Sequence, residues 1–105
     1  MKNIMDLNGI VRALNEQEQL HDWTVEFIEY IDGTVAAITL RSYEEDVLYR
    51  LRFNEVEHCE MRIDLLLRTV GEVRIRKEEN IVVAFDGVGI EMQARELALE
   101  IQNCA

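Results

Sequence analysis

His21-Asp22 and His58-Cys59 are the two places in this 105-residue chain where adjacent side chains have the chemistry for catalysis. An imidazole beside a carboxylate is an acid–base pair, and an imidazole beside a thiol is an activated nucleophile. The second pair fails on geometry. Cys59, Met61, Ile63 and Leu65 alternate with His58, Glu60, Arg62 and Asp64 as a strand does, and neighbours in a strand point to opposite faces. The thiol then belongs with the apolar set, and His58 shares the polar face with Glu60 as a surface pair. His21 and Asp22 fall where a helix should end and a strand begin. There a histidine meets the helix dipole and an aspartate starts a turn. No catalytic residue is assigned to either place.

The remaining chemistry is sparse. Two histidines and two distant cysteines show none of the compact spacings of a zinc site, and no acidic loop of EF-hand type is present. Gly87-Val88-Gly89 is too short for a phosphate-cradling loop. No metal and no cofactor is expected. The aromatic residues sit at strand positions and read as core.

Charge is more informative. Asp plus Glu number 21 against 11 Lys plus Arg, a formal net charge of -10. Nucleic acid is excluded as a partner, because phosphate-backbone binding is driven by protein cations releasing counterions. An acidic surface instead steers a basic partner. Glu26 and Glu29 in the N-terminal third, with Glu44, Glu45 and Asp46 in a polar loop, are the candidate contacts. Nine of the 11 basic residues are arginine. Strand alternation puts Arg50, Arg52 and Arg62 on one polar face, joined by Arg74 and Arg76 from a neighbouring hairpin. Guanidinium groups suit carboxylate or phosphate, so a small-anion or acidic-ligand site there is the alternative function. The plainer reading is a ladder neutralised by Glu60, Asp64, Glu72 and Glu91.

The elements that must position these groups follow from periodicity. Residues 1–20 supply a helix, read over 3–20 from Ile4, Leu7, Val11 and Leu14 on one stripe. Residues 21–105 are β-rich, completing a single domain. Trp23 to Ile31, the Asp32-Gly33 turn and Thr34 to Arg41 form a hairpin. Val47, Tyr49, Leu51 and Phe53 line one strand face. A turn near Asn54-Glu55 would fold Val56–Asp64 back on it, with Leu51 opposite Cys59, Tyr49 opposite Met61 and Val47 opposite Ile63. Glu72 to Lys77 and Ile81 to Phe85 form another hairpin, and Val88, Ile90, Met92 and Ala94 line the next strand. The phase slips between Ala94 and Leu97, so residues 96–102 fit a helix or a bulged strand, with the strand preferred. The expected fold is α+β: an N-terminal helix packed on a mostly antiparallel, twisted sheet of six or seven strands. Thr34–Leu40, with no charge, would be hazardous if left uncovered, so either an internal cover or a homodimer through an edge strand is expected.

No run approaches the ~20 apolar residues of a membrane span, and the start lacks a secretory signal. With two cysteines read as thiols, the expected compartment is the cytoplasm. Leu20-His21-Asp22 opening a meander, Val56-Glu57-His58, and Gly89-Ile90-Glu91 leading into Ala94 give residues 20–101 a family look. The chain resembles small acidic bacterial domains, some grouped with immunity proteins of polymorphic-toxin systems. The N-terminal helix lies outside that pattern, and no binding residue is carried over. The resemblance implies a compact domain that binds and blocks a toxin. The expected function is therefore a non-enzymatic protein-binding domain meeting a basic protein or toxin through acidic surface.

Overall fold

A computed structural model describes residues 2–44, 46–62 and 68–104. In chain order these form β1 (Lys2–Ile4), α1 (Leu7–Glu16), a tight turn (Glu18–Leu20), β2 (Thr24–Asp32), β3 (Val35–Arg41), β4 (Val47–Met61), β5 (Glu72–Lys77), β6 (Ile81–Asp86) and β7 (Ile90–Asn103). The strands make one antiparallel sheet in the order β2-β3-β4-β7-β6-β5, with β1 also paired to β7. The architecture is α+β, one helix on a seven-stranded sheet.

Local chemistry explains most of the elements. Asp6 caps α1 by accepting the Gly9 N–H at 3.1 Å. A Cβ on Gly9 would lie 3.0 Å from Ile4 Cγ2, so this glycine lets β1 pass close to the helix. In the β2–β3 turn one oxygen of Asp32 accepts the N–H groups of Thr34 (2.9 Å) and Val35 (3.1 Å). Ile10, Ala13 and Leu14 of α1 pack with Val25, Ile38, Leu51, Phe53, Phe85 and Leu99 of the strands in one buried cluster.

Two expectations are corrected. The helix does not run over 3–20: Lys2–Ile4 pairs with the end of β7, and helical hydrogen bonding stops at Glu16. Its buried stripe is Ile10, Ala13 and Leu14, with Leu7 and Val11 at the margin. Nor is there a hairpin at Asn54-Glu55. β4 runs straight through to Met61 and pairs with β7, so Leu51 faces Leu99, Tyr49 faces Ile101 and Cys59 faces Met92. Ile63 lies outside the described residues. For Thr34–Leu40 the cover is internal: β3 lies between β2 and β4.

The false hairpin has a physical cause. Core-facing positions of β4 pass from Phe53 to Val56, a slip of phase, and Glu55 there takes a left-handed φ of 52°. β7 slips at the same level, from Ala94 to Leu97, and Val56↔Ala94 and Phe53↔Leu97 stay in register. The ladder breaks its register once, between Val56 and His58, where β4 carries one residue more than β7, and beyond that bulge the pairing resumes as far as Met61↔Ile90. Residues 96–102 are accordingly strand.

The path of the sheet also bends back on itself. Val25 N–H donates to Arg68 O (2.8 Å) and Val70 N–H to Trp23 O (2.9 Å), and Gly71 N–H then donates to Asp86 O (2.8 Å). One short segment thus bonds to β2 at one end of the strand order and to β6 beside the other.

Between α1 and β2 the backbone is strained. Glu18, Gln19, Leu20 and Asp22 all have left-handed φ, 53°, 54°, 59° and 65°. A left-handed L-residue costs roughly 1–2 kcal/mol, and such residues normally occur singly. The tight reversal drops Leu20 into the core with no exposed surface directly after the helix ends, and burying a leucine offsets about 1.5–3 kcal/mol. Glu18→Gly is expected to raise stability by about 1 kcal/mol in denaturant unfolding, since glycine takes this φ freely. Glu18→Ala removes the same charge but keeps the Cβ, so it should give no such gain. Equal midpoints for the two variants would contradict the strain.

Candidate functional site

The left-handed turn and the β3–β4 loop face each other across a groove of about 470 Å³. The C-terminal end of α1 and the turn supply Glu16, Glu18 and Asp22, and the loop supplies Glu44 and Asp46. No lysine or arginine stands among its described lining residues. Tyr43 lies on the loop wall, 78% exposed, the most open large apolar side chain described. Trp23 lines the groove as well and meets the buried Tyr49 edge to face, ring centres 4.8 Å apart. Burial pushes the Tyr49 phenol up, and the Glu16 carboxylate adds to the shift.

The loop wall is stapled from within. Ser42 Oγ donates to Asp46 Oδ1 (2.8 Å) and accepts the N–H groups of Asp46 and Val47, each at 3.1 Å. Cys104 N–H donates to Asp46 O (2.8 Å), which ties the loop to the segment after β7. On the opposite wall His21 Nδ1 lies 2.6 Å from Gly71 O, and its Nε2 lies 3.4 Å from Asp22 Oδ2. The carbonyl contact first, and then the Asp22 carboxylate, raise the His21 pKa above its ordinary value.

The structure sorts the residues singled out from sequence. Glu44 and Asp46 line the groove, whereas Glu45 lies outside the described residues. Glu26 borders an adjoining hollow, held by Arg41 at 2.6 Å. Glu29 lies within 3.4 Å of Arg50, away from the groove lining. Among the arginines, Arg50 and Arg52 stand together on β4. Arg50 is neutralised by Glu100 (2.9 Å) and Glu29 (3.4 Å), and Arg52 contacts Asn54 Oδ1 (3.4 Å). Arg74 and Arg76 sit on β5, three strands away in the sheet order. They are bound to Asp86 (2.6 Å) and to Glu78 (2.8 Å) with Glu91 (3.1 Å). Arg62 follows the end of β4 and is exposed. The five do not form one cluster. Glu91 does neutralise an arginine as the ladder requires, while Glu60 pairs instead with His58 at 3.3 Å. Asp64 lies outside the described residues.

Cys59 packs against the core from β4, its thiol 3.7 Å from the Tyr30 hydroxyl. Both cysteines are free thiols. Among the described residues, no three His, Cys, Asp or Glu side chains converge to hold a metal ion. Likewise no helix there is long and apolar enough to cross a membrane. Sequence reasoning missed Glu16, Glu18, Tyr43 and Trp23 as groove residues, because segments 16–23 and 42–47 meet only in the fold. A cue was present in the acids at the end of a helix, where cations are the stabilising choice. No protein-family model, curated protein or solved structure matches the chain.

Because four of the arginines are engaged by neighbouring side chains, inorganic phosphate and dicarboxylates are expected to leave the melting temperature unchanged in a thermal-shift titration. A saturable rise, on the scale of about 2.7 kcal/mol at a hundredfold excess over Kd, would show a genuine anion site.

Proposed function

We propose that this chain is a non-enzymatic protein-binding domain that takes a basic protein partner into the acidic groove. One observation carries this reading. Five carboxylates from two separate segments face a single groove whose described lining holds no lysine or arginine. Like charges gathered in one hollow repel each other, and a cationic side chain entering it relieves that repulsion. Tyr43 offers an open ring for apolar contact and for a cation over its face. The other polar groups are occupied: the Ser42 hydroxyl holds its own loop, and the His21 ring faces Gly71 and Asp22. That occupancy favours recognition over chemistry. Neutralising a toxin from within the cytoplasm is the form of this function that the chain's resemblance to immunity-type domains suggests.

The groove acids are also placed against the stability of the fold. Glu16 ends α1 and Glu18 follows directly, with no basic residue in the last turn. Carboxylates at a helix C-terminus cost about 0.3–1 kcal/mol each. Glu16→Lys is therefore expected to stabilise the protein slightly in thermal unfolding while weakening its capture of a basic partner. Lower stability for this variant would contradict the dipole argument.

Binding itself is testable with an oligolysine peptide, followed by Trp23 fluorescence or calorimetry. Association at low ionic strength should fall steeply as salt is added. Combining Glu16→Lys with Glu44→Lys should weaken it by about tenfold or more. No association at low salt, or equal affinity for the double variant, would remove this reading.

A further inference from the structure

His21 stands between two acceptors. Nδ1 lies 2.6 Å from the Gly71 carbonyl oxygen, and Nε2 lies 3.4 Å from the Asp22 carboxylate. Neither neighbour has a proton to give in these contacts. A neutral imidazole carries one N–H and one lone pair, so it satisfies one oxygen and turns a lone pair on the other. The imidazolium holds the Gly71 bond and at the same time attracts the Asp22 carboxylate by its charge.

The same residue sits inside the strained turn. Glu18, Gln19, Leu20 and Asp22 hold left-handed φ on either side of it. The turn is anchored to the sheet by few backbone bonds: Asp22 N–H to Val70 O (3.0 Å) and Val70 N–H to Trp23 O (2.9 Å). Within the turn, His21 N–H reaches Glu18 O at 3.1 Å. The His21 side chain thus bridges the turn to the segment that enters β5. A strained segment with few anchors opens readily when one is lost.

We propose that His21 is a protonation-controlled latch on this left-handed turn, closed when the ring is an imidazolium bridging Gly71 and Asp22 and loosened when the ring is neutral. The charges around it favour the closed form. Asp22 adjoins the ring, Glu18 faces it from the turn, and Glu72 faces it from β5. Asp86 of β6 borders the same hollow but is held by Arg74. On the groove side stand Glu16, Glu44 and Asp46. Among these described neighbours Arg74 is the only fixed cation, and its guanidinium is engaged by Asp86.

The sign follows from linkage. A histidine whose pKa is raised in the folded state contributes its full stabilisation below the ordinary value of 6.5. That contribution is lost as pH rises through the folded-state value. The latch therefore holds in mildly acidic solution and releases toward alkaline pH. Glu18, His21 and Asp22 form one wall of the groove, so the latch sets the shape of that wall. This consequence rests on the groove being the binding site, whereas the latch itself does not.

NMR on the full chain tests it without any ligand. The His21 ring signal is titrated from about pH 5 to about pH 9. Exchange protection of the His21, Asp22 and Trp23 amides is measured at both ends, corrected for intrinsic rates. The expected midpoint lies above 6.5, and protection should fall about two- to fivefold on the alkaline side. His21→Asn keeps a donor for the Gly71 carbonyl but cannot take up the proton, so its protection should not vary with pH. A midpoint at or below 6.5, or protection in the natural protein that is equal on both sides, overturns the latch even if the variant fails to fold. Neither readout involves the oligolysine peptide, so failure of the groove reading leaves them unchanged.

Discussion

The long antiparallel pairing of β4 with β7 is the constraint on which the rest of the molecule depends. Thirteen registered residue pairs run from Val47↔Asn103 to Met61↔Ile90. Every other strand except β2 and β5 joins one of these two: β3 on β4, and β6 and β1 at opposite ends of β7. Its inner row, Leu51 with Leu99, Phe53 with Leu97 and Met92 beside Cys59, belongs to the same apolar core as Ile10, Ala13 and Leu14 of α1. A register error of one residue would turn that row to water and strand the helix face with no surface to cover. The matched slips near Glu55 and Arg95, followed by the bulge between Val56 and His58, bring Cys59 back opposite Met92 and keep the apolar row on one side.

The groove is built at one end of that ribbon. The β3–β4 loop leads into Val47, and Cys104 just past β7 ties the loop through the Asp46 carbonyl. The opposite wall is the end of α1 and the left-handed turn, held down by buried Leu20 and by bonds to the segment around Val70. Several locally unfavourable choices coincide there: left-handed backbone without glycine, carboxylates at a helix C-terminus, an open tyrosine and five like charges. Elsewhere local rules are met by an Asp cap on α1, an Asx turn between β2 and β3, and arginines paired to acids across strands. Costs of this kind also occur elsewhere, in the left-handed Glu55 of β4 and the exposed Phe27, Tyr30 and Ile31 of β2, but at the groove several of them coincide.

Much of the strand content was legible in the sequence. Both short hairpins followed from alternation with turn signals, and the interior faces of β4 and β7 and the apolar placement of Cys59 from alternation, because a strand buried on one side imposes a period of two on its residues. The N-terminal reading was less accurate for a definite reason. Ile4, Leu7, Val11 and Leu14 share a helical stripe whether or not Ile4 is helical, and only the pairing of Lys2–Ile4 with β7 removes it from the helix. The expected hairpin in β4 erred because two alternating runs separated by a polar Asn54-Glu55 look the same whether the chain turns there or runs on through a bulge.

The candidate site was half visible. Glu44 and Asp46 stood out as a charge run, and His21-Asp22 as a junction. Glu16, Glu18 and Tyr43 did not, since nothing in one segment announces which other segment it will face. Composition and periodicity by themselves determined an acidic α+β chain with one apolar core, because burial is a property of each residue and its near neighbours. The tertiary structure alone decided that β4 pairs with β7, that the arginines divide between distant strands, and that two acidic segments share one hollow. Those outcomes depend on long-range register and on a left-handed backbone turn, and both are selected by packing energy summed over the whole sheet rather than by any local preference.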